Sequence, residues 1–239
     1  MRVAIVVPLK DEVLGVPSLV AALDDLAAHL RTAAAAECEL VLVDDGSTDG
    51  TGELLRTRLA GRRDARVVVH ETNLGLSAAI RTGILATDAE VVASIDGDLS
   101  YDPREIAPML ALLTSERADV VTASPYHPRG SVRGVPAWRL VLSKTLSRCY
   151  RMLLRRPIHT WTACFRVYRR AAVVDLPLEN PRFLGTAELL VRVLRRGGVV
   201  REHPCELGVR SFGQSKMKVL RTIAGHVRLL ANVALGRIK

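Results

Sequence analysis

The sequence predicts an α/β fold: a mostly parallel, Rossmann-like sheet flanked by helices, completed by a C-terminal helical and antiparallel embellishment. Two patterns lead there. Apolar runs rich in Val, Ile and Leu alternate with stretches of helical period, the rhythm of strand–helix–strand units in a sheet covered on both faces. Acidic clusters then fall where three of those runs end, at the carboxyl edge where open parallel sheets place their ligands.

Residues 2–8 form the first predicted strand. Pro8, Lys10, Asp11 and Glu12 cut the apolar run short, which marks a buried strand rather than a signal peptide. A helix is predicted near 16–33, then a strand at 38–44, a helix near 49–60 and a strand at 66–71. A helix near 75–87, a strand at 90–96, a helix near 103–116 and a strand at 119–124 complete the alternation. Beyond it come a Pro/Gly/Arg loop (125–136), a long helix at about 137–154 and another near 183–196. A strand-like stretch at 199–210 leads to a polar loop and a C-terminal helix from about 217. No repeat or linker divides the chain, so one domain over 1–239 is expected.

Net charge is +9, but it is unevenly spread. Residues 1–120 hold 11 Lys/Arg against 20 Asp/Glu, and residues 121–239 hold 23 against 5. An acidic half suited to a cation is joined to a basic half suited to phosphates. Nucleic acid is not expected as a partner: aromatics are 4% of the chain, and neither zinc-finger spacing nor an RNA-binding signature is present. Cys38, Cys149, Cys164 and Cys205 lie far apart, which suggests neither a disulfide scaffold nor a zinc cluster and leaves a reducing cytoplasmic compartment as the default. No window offers about 20 uninterrupted apolar residues, so a soluble or peripheral protein is expected.

Asp96-Gly97-Asp98 sets two carboxylates either side of a permissive glycine, directly after an apolar run. Hard divalent cations such as Mg²⁺ or Mn²⁺ take such oxygen ligands, completed by substrate phosphates. The triplet alone is common in ordinary loops; its place after a buried strand gives it weight. In Asp44-Asp45-Gly46-Ser47-Thr48-Asp49, capping of the next helix accounts for Asp49, and Asp44 suits the turn. Two adjacent acids exceed what a cap requires, so Asp45 is read as a nucleoside ligand. Gly83 is read as a close-packing position, and Asn73 as either turn or ligand.

The order of Pro8-Leu9-Lys10-Asp11-Glu12, Asp44-Asp45-Gly46-Ser47, Asn73-x-Gly75 and Asp96-Gly97-Asp98-Leu99-Ser100 resembles the inverting family 2 glycosyltransferases of GT-A fold. The second half is similar to their dolichyl-phosphate mannose synthase branch, whose Arg-x-x-Gly-x-Ser-Lys pattern matches Arg210 to Lys216. The resemblance implies a nucleotide-sugar half (1–124), with Pro8, Lys10, Glu12, Val43 and Asp45 lining a nucleoside pocket. It further implies that Asp96, Asp98 and Ser100 form the metal site beside the diphosphate, that Gly97 between them belongs to the donor-binding residues, and that Arg210 and Lys216 grip phosphates. An acceptor-side half (125–239) with amphipathic helices follows. Pro125 stands where mannose synthases usually place an arginine, so Arg129, Arg133 and Arg139 are candidate replacements.

A lipid monophosphate is already anionic near neutral pH and needs positioning more than proton removal. Glu188 is the candidate base for a hydroxyl acceptor; its alternative is a helix acid paired with Arg192 four residues on. In the 137–154 helix, Trp138, Val141, Leu142, Thr145, Leu146, Cys149, Met152 and Leu153 are grouped as apolar, and Lys144, Arg148, Arg151 and Arg155 as a basic stripe. That pattern suits an anionic membrane surface, or equally a helix packed on the sheet with solvated arginines. The C-terminal helix repeats it with Leu220, Ile223, Val227, Leu230, Ala234 and Ile238. Trp161 and Phe165 suit either an acceptor site or the core. The expectation is a metal-dependent hexosyltransferase using GDP-mannose and a polyprenyl phosphate, in the cytoplasm or peripheral on the membrane's cytoplasmic face. Its alternatives are another donor such as UDP-glucose, a soluble hydroxyl acceptor, or a non-catalytic basic binding protein.

Overall fold

The computed structural model describes residues 1–209 and 219–238. Its first half follows the expected alternation: β1 (Arg2–Leu9), α1 (Val16–Ala33), β2 (Glu37–Asp44), α2 (Thr51–Arg58), β3 (Ala65–Val69), α3 (Leu76–Leu85), β4 (Val91–Ser94), α4 (Ile106–Ser115) and β5 (Val120–Ser124). The second half adds β6 (Ser131–Val132), α5 (Ala137–Leu154), β7 (Arg166–Arg169), α6 (Arg170–Val173), α7 (Leu184–Arg195), β8 (Val200–Pro204), β9 (Glu206–Leu207) and α8 (Val219–Ala234).

Seven strands form one sheet in the order β3-β2-β1-β4-β7-β5-β8, parallel except for β7, which runs antiparallel between β4 and β5. β6 and β9 pair separately, so the strand expected over 199–210 divides between two sheets. Both faces of the main sheet are covered. Val3, Ile5 and Val7 of β1 join one core with Leu19, Leu23 and Leu26 of α1, whereas Ala4 and Val6 join the other with Ile80, Tyr150 and Leu190. This is the period-two alternation of a strand buried on both sides. Gly83 lets α3 lie directly on that sheet, since a Cβ there would meet Val6 Cγ1 at 2.3 Å.

Residues Val13–Ala33 are long and apolar enough, by length and composition alone, to cross a membrane. In the fold Val16, Leu19, Leu23, Leu26 and Leu30 are buried against the sheet, as in a core helix. α5 departs from the expected two faces. Ser147 and Tyr150 are buried, while Trp138, Val141 and Met152 are more than half exposed and share the outer surface with Lys144 and Arg148. The reason is aromatic: Tyr150 stacks on Trp161 at 5.2 Å and its hydroxyl meets His226 Nδ1 at 2.9 Å, fixing which side of α5 turns inward. α8 is rotated likewise, burying His226, Leu229 and Val233 and exposing Val227. Trp161 and Phe165 are fully buried core residues.

Candidate active site

The ends of β1, β2 and β4 converge at one rim of the sheet, and each loop is braced by its neighbours. Asp45 N–H donates to Leu9 O at 2.8 Å, and Ile95 N–H to Val6 O at 3.1 Å. The Lys10–Glu12 turn is held by β2's loop: Lys10 Nζ donates to Gly46 O (2.7 Å), Asp11 N–H to Ser47 Oγ (2.8 Å) and Glu12 N–H to Thr51 Oγ1 (2.9 Å). Ser47 and Thr51 therefore serve the backbone of the first loop. Asp49 accepts Thr51 N–H at 3.0 Å and Val13 N–H at 3.1 Å; the cap position of α2 is Gly50, so Asp49 braces the helix start from one residue further out and is not the cap expected.

The adjacent acids have separate duties. Asp44 accepts Ser47 N–H at 3.0 Å, and its Oδ2 fills the space beside Gly52, where a Cβ would approach it to 2.3 Å. Asp45 faces a cavity of about 380 Å³. Its Oδ1 accepts Leu74 N–H and meets His70 Nδ1, both at 2.8 Å, and its Oδ2 accepts Gly75 N–H at 2.8 Å. His70 Nε2 rests against Thr82 Oγ1 at 2.9 Å, so the carboxylate is aimed by a fixed relay. Pro8, Lys10, Glu12, Asn73, Gly75, Asp96, Gly97 and Asp98 line the same cavity. Val43 does not: it is fully buried beneath Asp45 on the same face of β2, covered by α3, and this corrects its expected place in the pocket wall.

Asp96 and Asp98 also line a second cavity of about 440 Å³, between β5's loop, α5 and α8. Its walls are largely apolar, including Val135, Trp138, Leu142, Leu146, Phe183, Ile223 and Val227. The two carboxylates thus stand where the two cavities meet; the first, lined by Lys10, Glu12, Asp45 and Arg182, is the more polar of the two (the polar cavity), and the second the less (the apolar cavity). Gly97 permits the close approach, since a Cβ there would meet Leu9 Cδ2 at 3.0 Å. Leu99 takes a left-handed conformation (φ +54°), and the next N–H, that of Ser100, donates to Asp98 Oδ1 at 3.0 Å. Ser100 lines the apolar cavity, and the contact it makes to the acidic motif is this backbone bond.

Could these residues hold a divalent cation? Among the described residues, no group of three or more His, Cys, Asp or Glu is placed to hold one unaided. Two carboxylates beside a cavity able to admit a diphosphate fit an ion that takes its remaining oxygens from substrate.

A model of the family described as "Glycosyl transferase family 2" matches residues 4–176. The chain belongs to that family. Two relatives fit the assignment. The polyprenol monophosphomannose synthase of Mycolicibacterium smegmatis is 35% identical over 188 residues, covering 76% of this chain and 71% of its own. The undecaprenyl-phosphate mannosyltransferase of Micrococcus luteus is 29% identical over 223 residues, covering 91% and 88%. In fold, the chain resembles glucosyl-3-phosphoglycerate synthase of Mycobacterium tuberculosis, solved with Mn²⁺, UDP and glucosyl-3-phosphoglycerate. The TM-score is 0.68 at 21% identity, over 99% of this chain and 80% of that one. The fold is therefore the GT-A type, and the protein is a glycosyltransferase.

Within this family 2 enzyme, the remaining expected residues divide. Of the three cations weighed against Pro125, Arg139 lines the apolar cavity, and its Nε is buried with no hydrogen-bond partner among the described residues. Arg133 instead pairs with Glu206 at 3.2 Å, and Arg129 is exposed away from both cavities. Glu188 is 1% exposed, lines neither cavity and bonds Arg192 Nε at 2.7 Å. That geometry corrects its candidacy as a base and favours the pair with Arg192. Arg210 and Lys216 lie outside the described residues. No sequence motif points to the segment Asn180–Phe183, which lines the polar cavity together with Lys10. It lies about 80 residues from the acidic pair, so only the fold brings it there.

Proposed function

We propose that this glycosyltransferase moves a hexose, mannose from GDP-mannose being the first candidate, to a polyprenyl phosphate with inversion at the anomeric carbon. One observation carries the reading: Asp96 and Asp98 sit at the junction of a cavity whose charged lining, Lys10, Glu12, Asp45 and Arg182, suits a nucleotide sugar and a more apolar cavity that suits a prenyl chain. The names of the two relatives, a polyprenol monophosphomannose synthase and an undecaprenyl-phosphate mannosyltransferase, support the same acceptor and sugar.

In this reading Asp45, aimed by His70, contacts the nucleoside, and Lys10 and Glu12 form the pocket's near wall. Asp96 and Asp98 hold Mg²⁺ or Mn²⁺, which when bound neutralises charge gathering on the diphosphate as it leaves. Arg139 holds the acceptor phosphate through the guanidinium whose Nε has no partner among the described residues. One acceptor oxygen forms the new bond to the anomeric carbon from the side of the apolar cavity while the bond to the diphosphate breaks. No proton need be removed, because the attacking phosphate is already an anion. Arg210 and Lys216 remain candidates for gripping the phosphates.

The test is transfer itself: nucleotide sugars offered with Mn²⁺ and a short polyprenyl phosphate, with sugar followed into the lipid phase. GDP-mannose as the preferred donor is expected. Strong stabilisation by UDP-sugars with none by GDP-mannose would overturn the donor assignment, and transfer only to soluble hydroxyl compounds would overturn the acceptor.

A further inference from the structure

The Glu188 carboxylate accepts two hydrogen bonds on each oxygen. Oε1 takes Glu179 N–H (3.1 Å) and Arg192 Nε–H (2.7 Å); Oε2 takes Asn180 N–H (2.9 Å) and Asn180 Nδ2–H (2.7 Å). Four donors fill a carboxylate's capacity, which leaves no lone pair for a substrate proton. Three of the four come from residues 179 and 180, the start of the segment that walls the polar cavity at Asn180, Pro181, Arg182 and Phe183.

The other side of that segment is pinned to α3. Ala78 N–H donates to Pro181 O at 2.9 Å, and Ser77 Oγ–H to Arg182 O at 2.7 Å. Two glycines permit the contact: a Cβ at Gly75 would lie 2.7 Å from Pro181 O and 2.9 Å from Arg182 Cγ, and one at Gly185 would lie 2.1 Å from Asn180 O. Gly75 is also the residue whose N–H holds Asp45 Oδ2. Hydrogen bonds thus run from Glu188 through the 180–182 backbone to Ser77 and Ala78 of α3, and Gly75, which holds Asp45, packs closely against the same segment. Arg182, in that segment, is exposed, lines the polar cavity and makes no ion pair among the described residues.

We propose that Arg182 contacts the sugar-diphosphate donor and that Glu188 is its positioning residue, holding the wall that presents it. The inference rests on the polar cavity being the donor site. A cation there adds to the charge that the acidic pair and its metal bring to a leaving diphosphate. Anchoring the segment's backbone fixes where the Arg182 side chain starts, so that on donor binding only that side chain has to be ordered.

The experiment compares wild type, Arg182→Ala, Glu188→Gln, Asn180→Ala and the Arg182→Ala/Glu188→Gln double variant. Donor affinity is measured with Mn²⁺ and the nucleotide sugar that most stabilises the wild type, and turnover is measured against pH at saturating donor. Each single variant is expected to weaken donor binding about tenfold, the scale of one lost charge-assisted contact. The double variant is expected to bind no worse than the weaker single, because both act through one contact. The shape of the pH profile of Glu188→Gln should match the wild type. A collapse of turnover with unchanged donor affinity and a lost acid limb would make Glu188 the base and overturn the proposal. So would wild-type affinity in Arg182→Ala, or losses that multiply in the double variant. If Glu188→Gln does not fold, Asn180→Ala decides: a tenfold loss supports the clamp, and no loss overturns it. A wild type that binds no nucleotide sugar at all would instead sink the donor-site reading beneath it.

Discussion

Arg139 shows how an unremarkable residue becomes pointed once its surroundings are known. Its Nε is shut away from solvent with no acceptor among the described residues, an arrangement that a ligand oxygen would complete. Arg139→Ala should therefore lower kcat/KM toward the acceptor by about a hundredfold, the scale of a buried charge pair losing one member, while donor affinity stays within a few-fold. Steady-state kinetics with each substrate varied separately reads that split. In the sequence Arg139 was one of three equal candidates, because nothing local separates it from Arg129 or Arg133. The acidic motifs were legible because strand ends locate ligands whatever the rest of the chain does. Val43 and Glu188 were misplaced for one reason: motif position tells which residue is near a site, but burial and hydrogen-bond capacity decide whether its side chain can reach it. Gly83 was read correctly as a packing residue; Gly83→Ala, pressing on Val6, should destabilise the fold by about 1–3 kcal/mol and lower the melting temperature by several degrees.

Among the elements, β7 escaped the sequence reading. Arg166–Arg169 is short and bounded by arginines, which looks like surface. In the fold Arg166 is fully buried, donating to Thr122 Oγ1, Trp161 O and Thr186 O, and Arg169 donates to Ala118 O and Leu113 O. The arginines staple the antiparallel strand to its surroundings, a use of charge that hydropathy cannot register. α5 and α8 were located by period but not by facing, since the Tyr150–His226 pair that orients them is polar on paper and buried in fact. Burial lowers the His226 pKa to about 4 from an ordinary value of 6.5. The unfolded chain thus takes up this proton at higher pH than the folded one. Its contribution to stability is full above about pH 6.5 and is lost as pH falls toward 4. Melting temperatures from pH 7.5 to 4.5 should fall more steeply for wild type than for His226→Gln; parallel slopes would contradict this assignment.

For the whole molecule, the two halves of the charge division meet at the cavities: the acidic half supplies Asp45, Asp96 and Asp98, and the basic half supplies Arg182 to the first cavity and most of the wall of the second. Trp138 and Val227, at that cavity's walls, are more than half exposed, and Lys144 and Arg148 share the outer side of α5. A peripheral contact with an anionic bilayer follows as an expectation, since such a surface buries its apolar groups at the headgroup boundary while cations meet anionic lipid. Vesicles rich in phosphatidylglycerol should retain the protein at low salt and release it as salt rises, with Lys144→Glu/Arg148→Glu retained less; equal retention on zwitterionic vesicles would contradict an electrostatic contact. The central claim is narrower: Asp96 and Asp98 join donor and acceptor cavities through a divalent cation. It is tested most directly by transfer of sugar from nucleotide sugar to polyprenyl phosphate, with and without Mn²⁺, in wild type and in Asp98→Ala that is shown by its melt to be folded. Transfer is expected to need the metal and to fall at least about a thousandfold in the variant, the scale of losing a principal electrostatic stabiliser; metal-independent transfer, or a variant that turns over like the wild type, would show that the acidic pair does not act through a cation.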